Sequence, residues 1–357
     1  MNGFLKTFAA LTVAIVPVAN AWSFGPRGHS LVGAIADRRL EGTATASQLS
    51  TLLEGMSLEK AALLADDLKS LDHASPSNPN PFHIPGHPHL EADLIAFHTA
   101  NAQQHHEYHY VDVPVEGNSK YASGTTGRSS IDLIHMIPDC FDVLSGKTPE
   151  NNPRKITKRV AAVLLAHYVG DLHQPLHVGA QYFDDHGKPT NPDTHMGAGH
   201  PDKGGNNLML IIVGNGASHQ SSKLHSFWDG DSVESALELI WKEMRTANPQ
   251  LTGPITDADV AKFLALKNPS GIQIPPSVAV KDAVIGWADG MLPAARAVHS
   301  RLDYIGIHVD VQNKFVSGRV SPKPNSGDYR EFAGKTIQAE LPLAGARLAE
   351  LMKKAVP

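Results

Sequence analysis

The spacing of apolar residues predicts a chain that is mostly helical. Leucine, alanine and valine recur every three or four residues through most long segments, which is the period of an amphipathic helix. Strand patterns are few: 207–214 is a continuous apolar run typical of a buried strand or strand pair, and 109–114 predicts a short extended piece. Predicted helices cover the later part of 22–40 and residues 58–71, 91–103, 130–144, 153–174, 233–245, 256–266, 276–301 and 330–354.

Local signals set the expected ends of these helices. Ser57 is a candidate N-cap, and Ser129 or Ser130 is expected to cap the helix that runs to about residue 144. Pro153 suits the first turn of a helix, where its missing N–H costs nothing. Pro175 is expected to stop or bend the same helix.

Polar loops separate the helices without dividing the chain. Residues 73–89, 117–127 and 180–205 are rich in Gly, Pro and Asn and lack periodicity. A connection as long as 180–205 is usually functional. Neither an internal repeat nor a Pro/Ser-rich linker is evident, so residues 22–357 are expected to form one domain, although this is large for a single core.

The first 21 residues have the pattern of a signal peptide. An apolar run follows Lys6 and ends in Ala19-Asn20-Ala21, an A-x-A cleavage pattern. This predicts export, cleavage before Trp22 and a periplasmic or secreted protein. The absence of an N-x-S/T acceptor site favours a bacterial source.

Composition narrows the possible functions. Removing residues 1–21 takes away one lysine and no acid, which changes the net charge from −5 to −6. Such a chain is a poor candidate for binding nucleic acid through a broad basic surface, unless bound metal supplies local positive charge. Cys140 is the single cysteine, which excludes an intramolecular disulfide.

Histidine, with 20 copies, is the residue that carries the candidate chemistry. His167 and Asp171 are one helical turn apart, and the bend at Pro175 can bring His177 towards them. Imidazole and carboxylate ligands suit a borderline ion such as zinc. The alternative is a buried helix whose polar residues pair with one another. His225 and Asp229 repeat the same spacing, which is hard to ascribe to chance.

Other histidines lack such spacing. His29, His109 and the carboxylate of Asp66 are further candidate ligands. Six more histidines are expected to lie on the surface or in loops: His83, His87, His89, His98, His105 and His106.

At this point the sequence resembles the zinc-dependent S1/P1 nucleases, the class I nucleases with 3′-nucleotidase activity. The resemblance spans most of residues 22–357, and its most specific piece is AHYVGDLHQPLHVG followed by a later LH-x-x-WD. The other matching pieces are AWSFGPRGH, LADDLK, HYVDVP, DKGGNNL, LHSFWDG and AGARLAELM. It implies a mainly α, single-domain fold shared with phospholipase C, with a short β-hairpin and long loops around a trinuclear zinc cleft.

The resemblance also implies which residues bind three Zn²⁺ ions. The first zinc takes Asp66, His109, His167 and Asp171; the second takes His177, His225 and Asp229; and the third takes the amino group and carbonyl of Trp22, His29 and the other oxygen of Asp171. Asp171 would bridge two metals. His173 is not a ligand in this pattern.

Three positions depart from the family. The first histidine usually follows the terminal tryptophan by five positions, whereas Trp22 and His29 are seven apart. Either the terminus bulges or Phe24 takes the tryptophan position; the cleavage pattern favours Trp22. Leu64 replaces a usual tryptophan, and Lys69 stands where the family usually has arginine.

The implied reaction is hydrolysis of single-stranded DNA, RNA and 3′-nucleotides. A hydroxide bridging two zincs attacks phosphorus, the P–O3′ bond breaks, and 5′-phosphate products result. Asp66, Lys69 and Asp171 would serve catalysis, while Tyr110, Asp112 and Asn206 would contact the substrate. Stacking on Tyr110 favours unpaired bases. We expect a monomer with no stable protein partner and no membrane association.

Two alternatives remain. Zinc-dependent phospholipases C share the fold and much of the ligand pattern, but they typically use Glu where this chain has Asp229 and lack the HYVD piece. A non-catalytic zinc-binding or zinc-storage protein is supported only by the additional histidines.

Overall fold

The computed structural model describes residues 24–195, 199–213 and 219–357. The predicted signal peptide and Trp22 therefore lie outside the described residues. The helices are α1 Gly25–Leu40, α2 Ala44–Leu52, α3 Leu58–Ala61, α4 Leu64–Asp67, α5 Pro88–Asn101, α6 Leu133–Leu144, α7 Lys158–Leu172, α8 Leu224–Asp229, α9 Asp231–Ala247, α10 Asp257–Ala265, α11 Val280–Ser300 and α12 Tyr329–Ala355. Three short 3₁₀ turns cover Leu68–His73, His105–His109 and Pro175–His177.

Side-chain caps fix where many helices begin. Each capping oxygen accepts a hydrogen bond from a backbone N–H that the first helical turn leaves unpaired. The capping residues are Thr43, Ser57, Asp132, Thr157, Thr256 and Asp328.

Helix α7 lies at the centre of the hydrophobic core. Every residue from Val160 to Leu172 is buried, and the helix packs against α1, α6 and α12. Two glycines allow the surrounding helices to pack closely on one another: a Cβ on Gly33 of α1 would lie 2.3 Å from the Leu58 carbonyl oxygen of α3, and one on Gly345 of α12 would lie 2.5 Å from Ile35 of α1. Polar residues on α7 are thus held away from water by helices on several sides.

The strands form small sheets beside the helices. They are β1 Val113–Pro114, β2 Gly179–Ala180, β3 Tyr182–Phe183, β4 Pro189–Thr190, β5 His200–Pro201, β6 Leu208–Val213, β7 His219–Lys223, β8 Leu302–Asp310 and β9 Phe315–Pro322. The parallel pair β1–β2 joins two site-bearing loops, and the largest sheet has the order β7-β6-β9-β8. No helix among the described residues is long and apolar enough to cross a bilayer.

The predicted mainly helical class is correct, while several boundaries were wrong. The helix expected over 58–71 is interrupted, since α3, α4 and a 3₁₀ turn share that segment. Pro153 does not begin α7, because Thr157 caps it four residues later. Asp132, not a serine, caps α6. The hairpin β8–β9 occupies a segment for which no strand was predicted.

Candidate metal centre

Eight polar side chains from six separate segments meet beside the C-terminal half of α7. Each side chain is at most 6 % exposed. Helix α7 contributes His167 and Asp171, and α4 contributes Asp66. The remaining members come from α1, the two later 3₁₀ turns and α8: His29, His109, His177, His225 and Asp229.

Glycines at two positions make the close approach possible. A Cβ on Gly170 would lie 2.7 Å from His29 Nδ1, so only glycine lets α1 bring that imidazole against α7. Gly204 has φ +58, a left-handed conformation that favours glycine, and a Cβ there would lie 2.2 Å from the Leu176 carbonyl oxygen.

Asp171 joins two groups of imidazoles, one on each carboxylate oxygen. Its Oδ2 is 3.1 Å from His109 Nδ1 and 3.3 Å from His167 Nε2. Its Oδ1 is 3.2 Å from His29 Nε2 and 3.8 Å from His177 Nδ1. A single buried carboxylate therefore faces both groups.

Asp66 lies beside His109 and His167, the two imidazoles that face Asp171 Oδ2. The ligand atoms of Asp66, His109 and His167 lie within 4.8 Å of one another, and those of His29, His167 and Asp171 do the same. Asp66 Oδ1 is 3.7 Å from His167 Nε2. These spacings suit ligands that share a cation.

His177 also belongs to a group with the two candidate ligands of α8. The ligand atoms of His177, His225 and Asp229 lie within 4.8 Å of one another, with His225 Nε2 3.4 Å from Asp229 Oδ2. The Asp229 Oδ1 atom accepts hydrogen bonds from the Phe24 backbone N–H at 3.0 Å and from Gln174 Nε2 at 2.8 Å. The sequence did not indicate Gln174, because no spacing rule identifies a residue that orients a candidate ligand by hydrogen bonding to it.

Backbone carbonyls orient three of the imidazoles. The Nδ1 atoms of His167, His177 and His225 each lie 2.7 Å from a backbone carbonyl oxygen, those of Ala62, His109 and Gly204. Such a bond favours a proton on Nδ1, so that Nε2 carries the lone pair whenever the ring is neutral, which is the form that ligates a metal.

Several buried polar atoms of the centre make no hydrogen bond with the residues that the structure describes. They are both ring nitrogens of His29, Asp171 Oδ1, His177 Nε2 and Asp229 Oδ2. Burying such atoms without partners is costly. Their convergence, with nitrogen and carboxylate donors only, fits zinc ions as the missing partners.

The charges of the centre are strongly coupled. Burial would raise the pKa of Asp171, but the neighbouring imidazoles, His167 first, hold it well below its usual value. Burial would likewise raise the pKa of Asp66, which His167, Lys69 and His109 hold below its usual value. Burial lowers the pKa of His109 to about 3, whereas Asp171 and Asp229 overcome burial and raise that of His177 to about 9.

Of the predicted substrate residues, Lys69 lies beside a candidate ligand, and Tyr110 and Asn206 are close in sequence to His109 and Gly204. Lys69 Nζ is 2.5 Å from Asp66 Oδ1, and both residues line a cavity of about 440 Å³. Tyr110 is 38 % exposed, so its ring is available to a ligand. Burial raises the pKa of Asp112 to about 6, against the effects of Lys203 and His177. Asn206 Nδ2 donates to the Lys203 carbonyl oxygen at 3.1 Å.

His173 points away from the centre. Its Nδ1 lies 2.7 Å from the Val169 carbonyl oxygen and its Nε2 lies 2.9 Å from Arg347 Nη1. The structure thus separates His173 from the candidate ligands, although it lies between two of them in sequence. His98 and His105 were expected on the surface or in loops; both are in fact buried, His98 in α5 and His105 in a short 3₁₀ turn.

Comparisons with known proteins agree with these features. A family model described as S1/P1 Nuclease matches residues 24–357. Endonuclease 2 from Arabidopsis thaliana is 26 % identical over 238 residues, which are 66 % of this chain and 65 % of that protein. The matched region thus spans just under two thirds of that relative.

Proposed function

Because this chain belongs to the S1/P1 nuclease family, we propose that it is a zinc-dependent phosphodiesterase that hydrolyses single-stranded DNA, RNA and 3′-nucleotides. The observation that carries the proposal is the buried Asp171 carboxylate, whose two oxygens face two sets of imidazoles. A carboxylate in this position suits a bridge between metal ions.

We assign three zinc ions to the centre. Asp66, His109, His167 and Asp171 Oδ2 would hold one; His177, His225 and Asp229 a second; and His29 with Asp171 Oδ1 the third. The amino group and carbonyl of Trp22 would complete the third site. The backbone N–H of Phe24 lies 3.0 Å from Asp229 Oδ1, so the chain runs beside the centre two residues after Trp22.

Bound zinc would acidify coordinated water and offset phosphate charge. Three ions would bring about +6 against about −3 from three aspartates, so the cleft would be positive within an acidic protein. Hydrolysis adds water to phosphorus and breaks the P–O3′ bond, which leaves a 3′-hydroxyl on one product and a 5′-phosphate on the other.

The residues at the rim would bind the substrate. Lys69, which lines the cavity beside Asp66, would pair with a non-bridging phosphate oxygen, and Asn206 would donate to another. Tyr110 would stack on a base whose edge meets Asp112. Stacking requires an unpaired base, and this supports single strands as substrates.

We further propose that the protein is exported, since residues 1–21 have the signal pattern. It would act outside the cytoplasm as a monomer, with nucleic acid as its partner.

The test is hydrolysis by zinc-loaded protein of a single-stranded oligonucleotide, a matched duplex, RNA, 3′-AMP and phosphatidylcholine vesicles. We expect cleavage of the single strand and RNA with 5′-phosphate ends, release of phosphate from 3′-AMP and no attack on the vesicles. Faster turnover of phosphatidylcholine than of single-stranded DNA would reverse the proposal in favour of phospholipase C. Lack of hydrolysis of any nucleic-acid substrate or 3′-AMP would favour a storage protein.

A variant tests the role of Tyr110. Tyr110→Ala should raise KM for a single-stranded oligonucleotide about tenfold with a smaller change in kcat, because stacking contributes about 1–3 kcal/mol per base. Phe315→Ala is the matched control, since Phe315 is also an exposed aromatic residue, but on β9. Equal KM values for the two variants would remove Tyr110 from the substrate site.

A further inference from the structure

A second histidine cluster surrounds Asp72, outside the buried centre. The Nε2 atoms of His98 and His105 lie 2.9 and 3.2 Å from Asp72 Oδ1. The Nε2 atom of His106 lies 2.9 Å from Asp72 Oδ2. Three imidazoles from two segments thus aim the same ring nitrogen at one carboxylate.

The spacing of these atoms matches zinc coordination. The ligand atoms of Asp72, His105 and His106 lie within 4.8 Å of one another. Ligands bound at about 2.0–2.1 Å to a tetrahedral zinc are separated by about 3.3 Å. The separations of the Asp72 oxygens from His106 Nε2 and His105 Nε2, 2.9 and 3.2 Å, are close to that value. His98 lies outside this group of three, but its Nε2 is 2.9 Å from Asp72 Oδ1, which makes it the candidate for the fourth position.

Packing holds the imidazoles while leaving a path for an ion. The His105 ring centroid lies 4.7 Å from that of His98 and 4.1 Å from that of His106. The side chain of His105 is 3 % exposed, whereas those of Asp72 and His106 are 24 and 55 % exposed. The cluster is therefore buried on one side and open to solvent on the other, so zinc can enter without unfolding.

We propose that Asp72, His98, His105 and His106 form a further, mononuclear zinc site. Three nitrogens and one carboxylate oxygen are ligands that zinc readily accepts, and the single carboxylate leaves the complex with a net charge of about +1. With all four protein ligands bound, the coordination sphere is closed, which is the arrangement of a structural site.

This zinc connects segments that also serve the buried centre. Asp72 shares the 3₁₀ turn Leu68–His73 with Lys69, and His106 shares the turn His105–His109 with His109. His98 lies in the last turn of α5. The ion therefore cross-links the turn that carries the proposed phosphate-binding cation to the turn that carries a ligand of the buried centre.

The experiment compares zinc stoichiometry in two double variants of the full chain. Asp72→Asn with His106→Ala removes two ligands of the site. Glu54→Gln with His89→Ala is the matched control. Glu54 Oε1 lies 2.6 Å from His89 Nδ1, so this is also a carboxylate–imidazole pair, but neither residue belongs to a candidate metal-binding group among the described residues. Each protein is saturated with zinc, dialysed and measured by elemental analysis.

We expect the Asp72/His106 variant to bind one zinc fewer per chain than the wild type and the control to bind the same number. Equal zinc content in all three proteins would overturn the site. Because the readout is a difference in metal content, it is unaffected if the protein proves not to be a nuclease.

Crystals of the wild-type protein grown with zinc provide a second measurement that does not depend on a variant folding. Anomalous diffraction at the zinc edge should give a peak between Asp72 and His106, separate from the peaks at Asp171. A map with peaks only around Asp171, or with none, would refute the proposed site.

Discussion

Asp171 links two groups of imidazoles in the buried centre. It is fully buried, and its two oxygens face His109 and His167 on one side and His29 and His177 on the other. The same carboxylate thus offsets the charge of imidazoles or, in our proposal, of two metal ions. Substitution at this residue affects both groups at once.

Asp171→Asn is therefore expected to remove two zinc ions together and to lower kcat on single-stranded DNA by about 10³-fold or more, as for loss of a central catalytic group. Zinc content by elemental analysis and hydrolysis rates are the measurements. The control is His173→Gln, because His173 is also buried near Asp171 but contacts Arg347. Normal zinc content in the Asp171 variant would contradict the bridging role.

Glu340 shows how burial makes a residue outside the candidate ligand set respond to pH. Its Oε2 atom is buried without a hydrogen bond in the described part of the chain, and burial raises its pKa to about 7 despite the opposing effect of Arg347. The folded protein thus holds a proton here that the unfolded chain releases near pH 4.5. Stability is full below that pH and falls as pH rises towards 7.

Glu340→Gln should abolish the fall in stability that Glu340 causes as pH rises towards 7. We expect the variant to have a higher Tm than the wild type at pH 8 and a similar Tm at pH 4, measured by thermal melting in the same buffers. Glu331→Gln serves as the control, since Glu331 is an exposed partner of Lys335 on the same helix. A Tm difference between the Glu340 variant and wild type that stays constant from pH 4 to 8 would contradict the assigned proton.

At the scale of elements, the site depends on how closely α1 approaches α7. Gly170 lies in α7 opposite His29, where a Cβ would lie 2.7 Å from the imidazole. The helix itself would tolerate alanine, so any cost arises from displacing His29. This separates the effect on the site from the effect on the helix.

Gly170→Ala should lower zinc content at the His29 site and reduce kcat/KM by about 10²-fold, the scale for a misplaced catalytic group. Gly286→Ala in α11 is the matched control, because a Cβ at that position would point into open space; it should raise stability by up to about 1 kcal/mol. Zinc titration measures the expected loss of metal in Gly170→Ala, and melting curves measure the expected gain of stability in Gly286→Ala. Equal activity in both variants would show that the close approach of His29 to Gly170 is not required for catalysis.

The sequence predicted most helices because their apolar positions repeat with a clear period, as in α9, α11 and α12. The spacing of His167 with Asp171 and of His225 with Asp229 likewise predicted neighbours that the structure brings together. The ligand assignments themselves remain predictions.

Other features depend on tertiary contacts that no local pattern reports. The hairpin β8–β9 has partly exposed faces and lacks the long apolar run that predicted β6. His98 and His105 were expected on the surface or in loops. Local composition gives no information about burial, and packing between α5 and two 3₁₀ turns buries both residues. Gln174 contacts Asp229 across 55 positions of the chain.

At the scale of the molecule, metal is expected to act as part of the core. The buried centre gathers carboxylates and imidazoles from six segments, and without ions many of their atoms lack hydrogen bonds with described residues. A zinc ion at a free concentration about 1,000 times its Kd contributes about 4 kcal/mol to stability.

Removing all three proposed zinc ions with EDTA should therefore lower Tm by more than about 10 °C. Adding zinc back should restore it, whereas magnesium should not, because imidazole ligands disfavour that ion. Melting curves at fixed pH and protein concentration measure the effect. An unchanged Tm in EDTA, with elemental analysis confirming that zinc has left, would show that metal contributes nothing to folding.

The position of α12 in the chain has a consequence for how the protein is made. The candidate ligands all precede residue 230, but α12, which packs against α1 and α7, follows them. During synthesis the ligands leave the ribosome before the helix that encloses them has been translated. If the zinc centre forms as we propose, the ions can bind while their ligands are still open to solvent, and α12 then packs against α1 and α7 behind them.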